Sequence, residues 1–178
     1  MAKALSVYLG REAAARIGEA GWSPDLFSVL LGASGGPKWF VLGQLDRLLF
    51  GDFLQRGTRP LSVLGSSIGT WRHACLAMAD PASAIAILED GYLNQRYASK
   101  PGPAEVSEVS LSILERVIGR DGAHLVDHPR IRTHIVTARG RGLSAAPGGG
   151  KLATGMGLAA IGITLGRRAL QRHFQRVV

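Results

Sequence analysis

The chain is poor in the residues that staple, charge or anchor a protein. Its single cysteine, Cys75, excludes an intramolecular disulfide and cannot build a cysteine zinc site alone. Cys75 falls in a helical pattern, where it reads as a small buried hydrophobe. Only 19% of residues are charged, against 46% hydrophobic, which excludes a disordered chain. Acidic residues are absent from Arg130 onward, whereas nine Lys/Arg lie there. That basic quarter suits an anionic lipid surface or a solvated face. No zinc-finger or RRM signature accompanies it, so no nucleic acid is expected. No signal peptide is evident, because Met1-Ala2-Lys3-Ala4-Leu5 runs quickly into Arg11, Glu12 and Arg16. The longest apolar run, Leu152–Leu165, has fourteen residues, short of the roughly 20 needed to span a bilayer. A cytoplasmic protein with peripheral membrane contact through its basic C-terminal region is expected. The 178 residues suffice for one domain, and no metal or cofactor motif is found.

What the chain does have is Leu61-Ser62-Val63-Leu64-Gly65-Ser66-Ser67-Ile68-Gly69-Thr70-Trp71-Arg72. An apolar run meets a tight turn and then a helical pattern. Gly65-Ser66-Ser67-Ile68-Gly69 fits G-x-S-x-G, in which a serine sits on a sharp strand-to-helix turn. The turn brings neighbouring backbones close, so small residues are needed two places either side of the serine. The helix behind it aims N–H groups and its positive dipole end at a developing oxyanion. An ordinary glycine turn would use the same letters, and the flanking strand and helix patterns favour the nucleophile.

Upstream, Leu9–Ala20 carries a helical pattern and Leu26–Leu31 a buried-strand pattern. Gly32-Ala33-Ser34-Gly35-Gly36-Pro37-Lys38-Trp39 then opens a helix, with Pro37 suited to its first turn. This loop also spells G-x-S-x-G, so Ser34 is a rival nucleophile. Consecutive small residues after a strand expose N–H groups, and an oxyanion hole is the favoured reading. The loop lacks both the P-loop and the dinucleotide-binding spacings. Gly51–Pro60 reads as a polar connection. Asp80-Pro81 is a helix start, with Asp80 as N-cap and the helix reaching Tyr97. Further predictions are a helix over Ala104–Ile118, a strand over Ile131–Thr137 and loop over Ala138–Gly150. Leu152–Leu165 reads as a core or interfacial helix, followed by an amphipathic basic end on Leu170, Phe174 and Val177.

Together these motifs resemble the bacterial patatin-like phospholipases over residues 26–140. That family places a G-G-G-x-[RK]-G oxyanion loop after a core strand, a G-x-S-x-G elbow a few dozen residues later, and a D-G-[GA] motif later still. Ser34-Gly35-Gly36-Pro37-Lys38-Trp39 is similar to the first, with serine for the first glycine and tryptophan for the last. Gly65–Gly69 is similar to the second. The resemblance implies a three-layer αβα fold with a central, mainly parallel sheet, spanning 1–178 as a single domain. It implies a carboxylic ester hydrolase acting on lipid esters, with Ser67 as nucleophile. N–H groups around Gly35, Gly36 and Ile68 would hold the oxyanion, and Gly65, Ser66 and Gly69 would shape the elbow.

The family's base is an aspartate acting without histidine. Asp121-Gly122-Ala123 has the letters but directly follows a helix ending at Gly119, where aspartate and glycine are common turn residues. Asp90-Gly91 lies inside a helical pattern. The dyad aspartate is therefore expected to be missing, the fold incomplete, and the chain the N-terminal portion of such a domain, left with the weak activity that an oxyanion hole and a binding site retain without a base. Missing strands would leave an unpaired sheet edge and exposed core. Two alternatives stand beside this reading. One is an α/β-hydrolase triad drawing on His134, His173, His124 or His128. The other is a non-catalytic domain that binds a membrane surface.

Overall fold

The structure is a computed structural model that describes residues 6–120 and 122–178. Its centre is a four-stranded open sheet in the order β1-β2-β3-β4. Strands β1 (Val29–Gly32), β2 (Leu61–Ser66) and β3 (Ile131–Gly140) run parallel, and β4 (Phe174–Val177) pairs antiparallel to β3. The architecture is mixed α/β with a mostly parallel sheet.

Pleating divides the sheet into two faces with different fates. Leu61, Val63 and Gly65 are buried on one, whereas Ser62, Leu64 and Ser66 are half-buried on the other. The covered face carries α3 (Ile68–Leu76), which packs on β1, β2 and β3. Behind α3 lie α2 (Gly43–Leu48), α4 (Pro81–Leu93) and α5 (Pro103–Ile118), which close the core around Phe50, Leu76, Ile85 and Leu88. The opposite face has no fully buried residue in its three parallel strands. Val29 and Leu31 are 54% and 72% exposed there, and Arg132 and His134 are exposed beside them. Among the described residues, α3 with α2, α4 and α5 behind it covers one sheet face.

Several elements depart from their sequence patterns. The predicted strand over Leu26–Leu31 begins only at Val29, because Ser23 caps a 3-10 turn over Pro24–Leu26. Asp25 in that turn accepts from the N–H groups of Thr58 and Arg59 and from the Thr58 hydroxyl, tying it to the approach to β2. The Gly51–Pro60 connection is helical as far as Arg56, as a π turn over Leu49–Phe53 and a 3-10 turn over Leu54–Arg56. Phe53 and Leu54 are buried there, and two apolar anchors override a locally polar composition. The helix from Asp80 is capped as predicted, the Asp80 carboxylate accepting from the Ser83 N–H at 3.0 Å. It stops at Leu93 rather than Tyr97, the residue that follows being Asn94.

The C-terminal quarter differs most. β3 runs on to Gly140, because β4 offers it a partner through the pairing Thr137↔Val177 to Gly140↔Phe174. The predicted amphipathic end on Phe174 and Val177 is this strand, preceded by a 3-10 helix over Arg167–Arg172. The residues expected as loop to Gly150 contain a 3-10 turn, Gly142–Ala145. The apolar run becomes α7 (Gly149–Leu165), numbered after the short α6 (Ala123–Val126), with α1 (Arg11–Ala20) at the other end of the chain.

Candidate active site at the elbow

Ser67 lies between the last residue of β2 and the first of α3, and its side chain is exposed. Its backbone sits at φ 52°, ψ −131°; among the described residues it is the one non-glycine at positive φ. A conformation of this kind costs about 1–3 kcal/mol and persists only where surroundings over-determine it. Here they do. The Ser67 carbonyl accepts from the N–H groups of Thr70 (2.9 Å) and Trp71 (3.4 Å), which closes the first turn of α3 directly onto the strained residue.

The neighbouring glycines have a steric cause. A Cβ on Gly65 would sit 2.6 Å from the Thr70 nitrogen, and one on Gly69 would sit 2.3 Å from the Gly32 carbonyl carbon and oxygen. A Cβ on Gly32 would lie 2.7 Å from His73 Cε1 and 2.8 Å from the Gly69 oxygen. The end of β1, the end of β2 and the first turn of α3 therefore meet at backbone distance. This contact brings the first glycine-rich loop beside the elbow. Ser34 and Ser66 share a hydroxyl–hydroxyl hydrogen bond of 2.6 Å across it.

That bond separates the two rival serines. Ser34 is engaged with Ser66 and does not sit at positive φ. Ser67 is strained, and among the described residues no side chain hydrogen-bonds its hydroxyl. Gly35 precedes a 3-10 helix over Gly36–Leu42, and Gly36 takes φ 51°, a value that favours glycine. Ile68 and Gly69 occupy the first turn of α3, where N–H groups have no partner within the helix. Gly35, Gly36 and Ile68 thus lie on the two segments that converge on Ser67. Trp39, at the end of the glycine-rich loop, is buried in the core, and Lys38 is exposed at the helix start.

Beneath the elbow are groups that sequence reasoning passed over. His73 is 2% exposed on α3, and burial, reinforced by the Arg72 charge, pushes its pKa down to about 4. Its Nδ1 is buried without a hydrogen bond, so the ring is a neutral spacer under Gly32. Arg72 grips Asp46 of α2 with two hydrogen bonds, Nε to Oδ2 at 2.6 Å and an Nη to Oδ1 at 2.5 Å. Asp46 is 1% exposed. The pair fixes α3 against α2, while Arg47 and Glu89 pair between α2 and α4. No sequence signal distinguished Asp46 from any other helical aspartate. Cys75 is fully buried with its pKa raised to about 12 by desolvation, an inert thiol.

The base candidates fall apart by position. Asp121 lies outside the described residues. Asp90 is bound to Arg116 and Asn94, and Gly91 lets Ile113 of α5 approach, so that aspartate–glycine pair forms a helix crossing. His128 accepts from the N–H groups of Arg130 and Ile131 at the start of β3, the end of the sheet away from Ser67. His124 precedes it on α6, and His134 is exposed on the open sheet face, opposite Leu64. His173 caps the 3-10 helix before β4. Among the described residues none of these imidazoles is hydrogen-bonded to Ser67. A groove of about 540 Å³ between α1 and Trp22, Leu26 and Phe27 also lies at the far end, where β1 begins. Six residues of β2, about 20 Å, separate that end from the elbow.

Compared with protein families, curated proteins and solved structures, the chain matches none of them.

Proposed function

We propose that this protein is a serine acyl hydrolase of lipid esters, with Ser67 as nucleophile on a patatin-like elbow. The observation that carries the reading is the strained backbone of Ser67, held at φ 52° between a strand end and a helix start. Strain of this kind in an exposed serine is characteristic of nucleophile elbows. The glycine-loop that abuts it supports the rest of the family's arrangement.

In this reading Ser67 Oγ attacks the ester carbonyl carbon and gives up its proton to a base. The N–H groups of Ile68 and of the Gly35-Gly36 segment receive the charge that develops on the carbonyl oxygen. The carbon–oxygen bond to the alcohol breaks, and the alcohol leaves with the proton. Water then attacks the acyl-serine and releases the carboxylic acid. Serine needs such a base at neutral pH, and Asp121-Gly122-Ala123 is the stretch that matches the family's letters. Lipid esters are met at a membrane surface, so the reading is of a cytoplasmic protein in peripheral contact with lipid.

The test is hydrolysis of a short p-nitrophenyl ester by the purified chain, with Ser67→Ala, Ser34→Ala and Asp121→Asn alongside. Activity lost in Ser67→Ala and kept in Ser34→Ala is the expected result. Loss in Asp121→Asn as well assigns the base; survival there leaves catalysis to the oxyanion hole and binding, which retain part of the rate. Hydrolysis that is no higher in the wild type than in Ser67→Ala overturns the reading.

A further inference from the structure

α7 is built inside out. A helix on a protein surface normally turns its large apolar residues inward and its polar residues to water. The buried residues of α7 are Gly155, Ala159 and Gly162. Its large residues point away: Met156, Leu158, Ile161, Ile163 and Leu165 are 50%, 47%, 62%, 54% and 83% exposed. The inward stripe is small because the helix lies almost against the backbone of the Gly142–Ala145 turn. A Cβ on Gly155 would fall 2.5 Å from the Ser144 nitrogen. Leu158, Ile161 and Leu165, at i, i+3 and i+7, share one edge of the helix, and Met156 and Ile163 share the other; apolar exposure of this kind marks a surface that something covers.

The charge around the helix says what covers it. Lys151 stands in its first turn, and Arg167 and Arg168 follow its last residue. Arg172 is exposed on the 3-10 helix that packs against α7, Arg139 and Arg176 are exposed on the paired strands β3 and β4 that flank that helix in the chain, and no Asp or Glu occurs after residue 130. Among the described residues none of these cations makes an ion pair. Seventeen residues span about 25 Å, less than the roughly 30 Å of a bilayer core, and no described helix is long and apolar enough to cross a membrane. A short apolar cylinder with basic ends fits the plane of an anionic headgroup layer.

Topology puts this surface on the working side of the molecule. Val136 pairs with Ser66, and β3 then continues through Gly140 into the turn against which α7 packs. α7 is thus reached from the same end of the parallel strands that carries Ser67. We infer that α7 docks the protein on an anionic lipid surface, with Ile161 and Leu165 inserted among the lipids and Arg167 and Arg168 on their headgroups. The inference deepens the hydrolase reading by naming the surface that presents its substrate, and it rests on that reading for its purpose but not for its test.

The experiment is sedimentation of the full chain with vesicles of mixed phosphatidylcholine and phosphatidylglycerol, and with pure phosphatidylcholine, at low and high salt. Ser67→Ala serves as a parallel sample, so that loss of catalysis and loss of docking are read separately. Wild type and Ser67→Ala should bind the anionic vesicles alike, weakly at high salt and not at all on the neutral ones. Arg167→Gln with Arg168→Gln should weaken partitioning about 25-fold, at roughly fivefold per arginine near the surface. Leu165→Asp with Ile161→Asp should abolish it. Val126→Asp, at a residue 79% exposed at the other end of the sheet, should bind as wild type and controls for misfolding. Equal binding to neutral vesicles, no binding at low salt, or binding indifferent to Leu165→Asp and Ile161→Asp overturns the inference. A concentration-dependent dimer that Leu165→Asp breaks, without vesicle binding, also overturns it and gives the face to a second copy.

Discussion

The elbow and α7 use glycine for the same reason and reach opposite results. At the elbow Gly32, Gly65 and Gly69 let three backbones meet, and the displaced bulk goes inward: Val63, Ile68 and Leu76 fill the core. What the close approach leaves exposed is one strained hydroxyl. In α7 Gly155 and its neighbours let a helix lie against a turn, and the displaced bulk goes outward to solvent. Close packing therefore does not by itself say which side of an element is the inside. The large residues decide, and in α7 they stand exposed.

Removing the support beneath the elbow should have the largest effect. Asp46→Ala would leave Arg72 half-buried without its partner, and stability should fall by about 3–5 kcal/mol in urea unfolding. No single exposed residue of α7 should cost as much. A loss under 1 kcal/mol would mean that α3 is held by packing alone.

Acid is the next lever. His73 has its pKa depressed to about 4 from 6.5, so the folded state resists protonation that the unfolded state accepts. Its contribution is present in full above pH 6.5 and is lost as pH falls toward 4. The loss is up to about 3 kcal/mol over that window. Urea midpoints at pH 7.5 and 5 should show it, and His73→Gln should flatten the difference. A midpoint equally pH-dependent in His73→Gln would remove this histidine from the account.

One added methyl group should disturb both regions. Gly69→Ala and Gly155→Ala both place a Cβ within 2.5 Å of backbone, and each should destabilise by about 1–3 kcal/mol. Only Gly69→Ala should also abolish Ser67-dependent hydrolysis, because it displaces the loop bearing Gly35 and Gly36. The smallest effect has the opposite sign. Gly157 has nothing within 4 Å of its Cβ position, so Gly157→Ala should stabilise α7 by about 1 kcal/mol through helix propensity. Circular dichroism on heating would read both.

Local geometry was legible in the sequence; tertiary choices were not. The elbow could be read because G-x-S-x-G encodes a turn within five residues, and the Asp80 cap because capping spans three. The Ser34 loop follows its own short strand just as the elbow follows β2, and the two strands pair in parallel, which sets the loops side by side. Nothing local announced that Phe53 would turn a polar connection into helix, or that Phe174–Val177 would find β3 and become a strand. Asp46 and Arg72 lie 26 residues apart and declare themselves only once α2 and α3 are packed. The orientation of α7 was equally hidden, since a helix apolar on nearly every side has no face to read.

In the proposed reaction Ser67, and not Ser34, is the reactive serine. The direct measurement is labelling of the native chain with a fluorophosphonate, followed by peptide mapping. The adduct is expected on Ser67, unchanged in Ser34→Ala and absent in Ser67→Ala and in heat-unfolded protein. An adduct on Ser34, or labelling no greater in the native chain than in the unfolded one, would contradict it.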